Sequence, residues 1–106
     1  MAWIYLVIAG LFEIAWAIGL KYTEGFTRLW PSAGTVAAMI VSFLFLAESL
    51  KSIPVGTGYA VWTGIGAAGT AVMGMILFDE SRDLVRILCI LMIVAAIAGL
   101  KLSSPT

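Results

Sequence analysis

Glu13 is the residue whose type and position most clearly predict chemistry. It interrupts an apolar stretch that runs from Ala2 to Leu20, and a carboxylate inside membrane hydrocarbon costs at least about 2.5–3.5 kcal/mol. Because loss of solvation disfavours the charged form of a carboxyl, Glu13 can hold either a proton or a cation. We predict that the two compete for it, which is the simplest basis for exchange. The alternative is a protonated Glu13 that makes only a structural hydrogen bond between helices.

The residues expected to surround this acid are small, polar or aromatic: Gly10, Trp16, Ser42, Tyr59 and Trp62. Gly10 and Trp16 share a helix stripe with Glu13, because each is one turn away along the sequence. Tyr59 and Trp62 have the same spacing. Aromatic rings beside a carboxylate form a box for a cation, each ring contributing about 0.5–2 kcal/mol. The alternative for each ring is helix packing or contact with lipid.

Four apolar stretches must position these residues, and they cover 2–20, 30–47, 55–78 and 84–102. Each can cross a hydrocarbon layer about 30 Å thick, which takes about 17–25 residues of helix. In lipid the backbone must satisfy its own hydrogen bonds, so we predict that all of these stretches are α-helices. We therefore predict an all-α integral membrane protein with a single domain, 1–106, of four transmembrane helices.

The composition supports a membrane protein and excludes several functions. Hydrophobic residues make up 62% and charged residues 11% of the chain, against about 45–50% and about 25% in soluble domains. A net charge of zero and the absence of histidine leave no basic stripe for nucleic acid and no histidine for a metal. The connections carry no phosphate-binding or hydrolase motif. We expect no enzymatic activity, no cofactor, no metal and no nucleic-acid partner.

Glycines and a weak charge bias predict how the site moves and assembles. Gly64 and Gly66 lower the stiffness of the third stretch and predict a hinge, with tight helix packing as the alternative. Basic residues occur on both sides of the membrane, with Lys21, Arg28, Arg82 and Arg86 on one and Lys51 and Lys101 on the other. This weak bias suggests that copies insert both ways round and pair. Since four short helices with one acid cannot enclose a pathway, we expect at least two copies to share the site.

Two segments carry a resemblance to a known family. The run Gly10–Ala17 holds the acid and a tryptophan, and the run Pro54–Gly66 holds the aromatic pair and the two glycines. Together with Gly99–Lys101, they make the whole chain similar to the small multidrug resistance family, and within it to the guanidinium exporter subtype. The resemblance implies a multi-pass protein of the inner (plasma) membrane of a prokaryote. It also implies an antiparallel, dual-topology homodimer that exports a cation in exchange for protons by alternating access.

The resemblance further implies a role for each site residue. Glu13 would bind guanidinium or protons, and Trp16 and Ser42 would hydrogen-bond to it and orient it. Tyr59 and Trp62 would line the pocket, the third helix would bend at its two central glycines, and the last helix would carry the dimer contact.

The substrate is where the residues leave alternatives open. Guanidinium suits Glu13, because its planar fan of N–H groups matches a carboxylate. Trp16 shrinks the pocket and offers a donor, which favours a small hydrogen-bonding cation. The alternatives are an exporter of small quaternary-ammonium or drug cations in the same family, a passive cation channel, and an assembly partner without transport.

Overall fold

The computed structural model describes residues 1–103 and folds them into four helices without a strand in that range. The helices are α1 (Ala2–Tyr22), α2 (Leu29–Ser49), α3 (Val55–Leu77) and α4 (Leu84–Ser103). All four are long and apolar enough to cross a membrane, which confirms the prediction of an all-α integral membrane protein. Where each helix meets the bilayer stays a prediction.

The connection between α1 and α2 is a tight reversal around Thr23. Its hydroxyl donates to the Leu20 carbonyl (2.7 Å) and accepts from the backbone N–H of Phe26 (3.2 Å). Glu24, Gly25 and Phe26 all have positive φ angles, and this left-handed backbone turns the chain sharply. The first of these bonds satisfies a carbonyl in the last turn of α1, which the end of a helix leaves without a helical partner.

The connection between α3 and α4 folds back onto the end of α3. Asp79 has a φ of 53°, a left-handed conformation that aspartate tolerates better than most residues. This turn brings the Glu80 N–H to the Gly74 carbonyl (3.3 Å), and Arg82 Nη2 donates to the Met75 carbonyl (2.8 Å). The loop therefore caps α3 and holds the Glu80 side chain at that end of the bundle.

Helix α1 lies between α2 and α3, and α4 packs beside α3. Glycines allow these close approaches, because a small residue lets two backbones come together in lipid. A β-carbon on Gly10 would lie 2.8 Å from the Ile65 β-carbon, and Gly69 faces Ile14 in the same interface. These pairs show that α1 and α3 run side by side in the same direction. That arrangement places Glu13 against the middle of α3.

The buried core is small and sits where α1, α2 and α3 meet: Leu6, Ala9, Leu46, Ile53, Val61 and Trp62. The chain is flat, with principal extents of 43 × 35 × 17 Å. Most large apolar side chains remain exposed, as expected for a protein whose solvent is lipid. Ile90 is the buried residue of α4, so nearly all of that helix is free to contact lipid or another chain.

Candidate cation-binding site

Glu13 lies in the middle of α1 and rests against the backbone of α3 at Gly66. A β-carbon on Gly66 would overlap the Glu13 carboxyl group, so this contact requires glycine. The carboxylate atom Oε1 is buried and has no hydrogen-bond partner among the described residues. Because buried polar atoms are nearly always paired, an unpaired carboxylate oxygen indicates a binding function.

A cleft of about 470 Å³ between α1 and α3 contains this carboxylate. It has room for a small cation and several waters, since one water occupies about 30 Å³ in the liquid. Two threonines, Thr63 and Thr70, line it, and its uncharged walls are otherwise mostly alanine and glycine. Its outer end is lined by charged and aromatic residues from three elements: Lys21, Phe78, Glu80 and Arg86.

Ser42 links three helices through two buried hydrogen bonds. Its hydroxyl donates to the Ala9 carbonyl of α1 (2.7 Å) and accepts from the Trp62 indole N–H of α3 (3.0 Å). A hydroxyl has one hydrogen to donate, so Ser42 does not donate to Glu13 in this arrangement. Ser42 instead fixes α2 against the turn of α1 that precedes Glu13.

The three predicted aromatic residues form a row that crosses the helices, completed by Phe43, which was not predicted from the sequence. The Tyr59 and Trp62 rings lie 5.6 Å apart, Trp62 and Phe43 lie 5.7 Å apart, and Phe43 and Trp16 lie 6.3 Å apart. Tyr59 is 57% exposed, so one end of the row faces outward. The indole nitrogen of Trp16 is buried without a partner in the described part of the chain. A hydrogen bond from Trp16 to Glu13 or to a ligand stays a prediction.

Two other predicted residues are packing positions in the single chain. Gly10 is buried against Ile65, and Gly64 faces Ile97 of α4, whose δ-carbon would lie 3.0 Å from an added β-carbon. Helix α3 continues without interruption through Gly64 and Gly66. The glycines thus permit close packing here, and their function as a hinge stays a prediction.

The cleft separates the predicted residues into two groups. Glu13 and Gly66 line it, whereas the aromatic row and Ser42 lie outside its lining. Sequence reasoning missed Thr70 and the pair of Glu80 and Arg86, which also line it. A signal was present for the first, because Gly66 and Thr70 are four residues apart and share a stripe of α3. Nothing local in the sequence predicts that Glu80 folds back toward that stripe.

Metal binding has no support from the described residues, since no three His, Cys, Asp or Glu side chains among them lie close enough to hold an ion. The cleft instead offers one half-buried carboxyl group and two threonine side chains, and its use as a cation or proton site stays a prediction. Four membrane-length apolar helices with one half-buried acid in mid-span are typical of a small integral membrane transporter.

Comparison with known proteins identifies the family. Residues 1–93 match the sequence model of the Small Multidrug Resistance protein family. The chain is 60% identical to the guanidinium exporter of Escherichia coli (strain K12) over 98% of its own length and 99% of that protein. It is 61% identical to the guanidinium exporter of Yersinia pestis and 59% identical to that of Proteus vulgaris, in each case over 98% of this chain and 100% of the relative.

The chain belongs to the small multidrug resistance family, as its sequence predicted. It is a multi-pass protein of the inner membrane, and it is a transporter rather than an enzyme.

Proposed function

We propose that this protein exports guanidinium in exchange for protons. The observation that carries the proposal is the buried, unpaired Oε1 of Glu13, which lies on Gly66 and lines a cleft between α1 and α3. The names of relatives about 60% identical over nearly the full length support guanidinium as the substrate.

The chemistry of the ion matches the chemistry of the acid. Guanidinium is planar and donates parallel N–H groups, so it can bind both oxygens of one carboxylate. Glu13 cannot hold such an ion and a proton at the same time. Release of the proton therefore permits binding of guanidinium, and release of guanidinium permits binding of a proton. If the carboxylate is exposed alternately to the two sides of the membrane, it exchanges guanidinium for protons across it.

The complete site is proposed to contain two copies of the chain in antiparallel orientation. Two features support this. Tyr59 is exposed at the outer end of the aromatic row, where a second copy could bring its own Glu13 beside it. Helix α4 also leaves nearly all of its apolar surface open for a contact between copies. In such a dimer the two Glu13 carboxylates share one pathway, and bending of α3 opens it to one side at a time.

The experiment is guanidinium uptake into liposomes that contain the purified full-length protein. Vesicles with an acidic interior should accumulate guanidinium against its gradient, and vesicles without a pH difference should only equilibrate. Glu13→Gln should abolish accumulation, because an amide can neither release a proton nor pair with the cation. Glu48→Gln is the matched control, since Glu48 is an exposed acid at the end of α2.

Uptake that ignores the pH gradient would refute proton coupling. Uptake that survives Glu13→Gln would remove the acid from the mechanism. Preference for a small quaternary-ammonium ion over guanidinium in the same vesicles would favour the alternative substrate class.

A further inference from the structure

Two glycines of α3 each face a glutamate side chain. Gly66 faces the Glu13 carboxyl group, and a β-carbon on Gly74 would lie 2.8 Å from the Glu80 carboxyl carbon. The two glycines are roughly 12 Å apart along α3, at a rise of about 1.5 Å per residue. Both carboxylates line the same cleft, so it has one acid at its inner end and a second at its outer end.

A hydroxyl group lies between these two acids. Thr70 is midway between Gly66 and Gly74 in the sequence and therefore lies on the same side of α3. Its Oγ1 is buried and makes no hydrogen bond to any described residue. A buried hydroxyl without a partner is uncommon, and Thr70 is one of the residues that line the cleft. It can accept a hydrogen bond from an ion that moves between the two acids.

The outer acid is already paired with a guanidinium group. Arg86 Nη2 lies 2.7 Å from Glu80 Oε1, and the two side chains are 35% and 41% exposed. The Nε of Arg86 is buried and has no partner within residues 1–103. Its guanidinium group is chemically the same as the ion that Glu13 is proposed to bind. A free guanidinium ion can therefore form the same type of ion pair with the Glu80 carboxylate as Arg86 does.

We propose that Glu80 is an outer binding site for guanidinium-type cations, which the Arg86 side chain occupies until a cation displaces it. The proposal rests on the function proposed above. Glu80 then raises the local concentration of cations at the mouth of the cleft, and Arg86 lowers it by occupying the carboxylate and repelling like charge. Thr70 supplies the intermediate hydrogen-bond acceptor on the path to Glu13.

This arrangement predicts opposite effects for the two members of one ion pair. Glu80→Gln leaves the positive charges of Arg86 and Lys21 without an acid at the mouth, and it should raise the KM for guanidinium uptake roughly two- to tenfold. Arg86→Gln leaves the carboxylate unoccupied and should lower the KM by a similar factor. Both effects should shrink as salt is added, because salt screens charges in contact with water. If the ion pair only stabilises the loop, both variants should instead raise the KM or reduce the amount of folded protein.

The experiment is initial-rate guanidinium uptake by the full chain in liposomes, for the wild type, both single variants and the double variant Glu80→Gln/Arg86→Gln. The double variant should return the KM to within about twofold of the wild type, because the net charge at the mouth is again that of the wild type. Glu48→Gln and Lys51→Gln are the matched controls. Those residues form the exposed ion pair at the end of α2, with 3.2 Å between their charged atoms, and neither lines the cleft.

Opposite KM shifts that the double variant cancels would support the outer site. Shifts in the same direction, unchanged KM values in both single variants, or equal shifts in the control pair would overturn it, even when the wild type transports guanidinium normally. Guanidinium titration of the purified variants, followed by tryptophan fluorescence, separates folding from transport. A single variant that does not bind guanidinium has lost its fold or its inner site. The KM of the double variant then decides whether the outer site exists. A wild type that takes up no guanidinium would refute the proposed function and the outer site together.

Discussion

Replacement of Gly66 by alanine tests whether contact with α3 sets the position of the Glu13 carboxylate. A β-carbon at position 66 would overlap the carboxyl group and lie 2.6 Å from the γ-carbon of Glu13. Because non-bonded carbon atoms stay about 3.5–4.0 Å apart, the glutamate side chain must move by roughly 1 Å. The atoms that must move belong to the flexible end of a side chain. We therefore expect the fold to survive and the carboxylate to be displaced.

That displacement should weaken guanidinium binding by a predictable amount. A carboxylate moved by this distance keeps one of the two hydrogen bonds expected with guanidinium and loses the other. A hydrogen bond to a charged group contributes about 1.5–3 kcal/mol, so the Kd should rise roughly 10- to 150-fold. The assay is a guanidinium titration of the purified protein followed by tryptophan fluorescence, with thermal unfolding recorded in the same detergent.

Gly56→Ala is the control for this substitution. Gly56 also lies in α3, and no neighbouring heavy atom lies within 4 Å of the position of an added β-carbon. The control should bind guanidinium with the wild-type Kd. A Gly66→Ala protein that binds with the wild-type Kd, or that loses binding only because it no longer folds, would refute the proposed link between this glycine and the position of Glu13.

Three further substitutions test the packing and the pocket. Ser42→Ala should destabilise the fold by about 1–3 kcal/mol in thermal unfolding, because the buried Trp62 indole N–H loses its acceptor. Gly10→Ala should cost about 1–3 kcal/mol in the same assay, because the added atom would press on the Ile65 β-carbon, which the backbone of α3 holds in place. Trp16→Gly removes the indole that is expected to shrink the pocket. The uptake of bulky substituted guanidinium ions, relative to that of guanidinium, should therefore rise about tenfold, as measured by competition in liposomes.

Each of these predictions has a control or a contradicting outcome. Ser52→Ala removes an exposed hydroxyl and should leave the unfolding temperature unchanged, as should Gly34→Ala, which adds a β-carbon in open space. If a substitution and its control lower the unfolding temperature equally, the packing contacts described here do not explain the stability. If Trp16→Gly abolishes transport of every cation, the indole does not set the size of the pocket.

The fold was predictable from sequence because lipid imposes one strong rule. A long apolar stretch in a membrane must form a helix, since its backbone has no other partners. The same rule singled out Glu13, because a charged residue in mid-span is costly unless it has a function. Both features depend on the solvent around each helix and not on how the helices pack.

The partners of individual side chains could not be predicted in the same way. The helices are apolar on nearly every side, so no amphipathic pattern fixes which face of α2 or α3 turns toward α1. The family resemblance implied a hydrogen bond between Ser42 and Glu13, whereas in the single chain the Ser42 hydroxyl donates to Ala9 and accepts from Trp62. The position of Glu80 depends on the left-handed backbone of the loop before α4. The spacing of residues within a helix cannot predict such a turn, because the turn lies in a loop.

Ser42 and Gly66 illustrate how the fold prepares the site. The hydroxyl of Ser42 joins α1 and α3 through buried hydrogen bonds, one turn away from the acid. Gly66 then gives Glu13 a flat surface of backbone on which to lie. Among residues 1–103 the acid is thus held by packing, and its buried Oε1 has no hydrogen-bond partner there.

Proton release on guanidinium binding is the most direct test of whether one carboxylate serves both ions. Purified protein is placed in a weakly buffered, mildly acidic detergent solution, guanidinium is added, and a pH-sensitive dye reports the protons released. We expect release that saturates together with the binding signal and is absent in Glu13→Gln. Saturable guanidinium binding without proton release by the wild-type protein would contradict the shared use of Glu13.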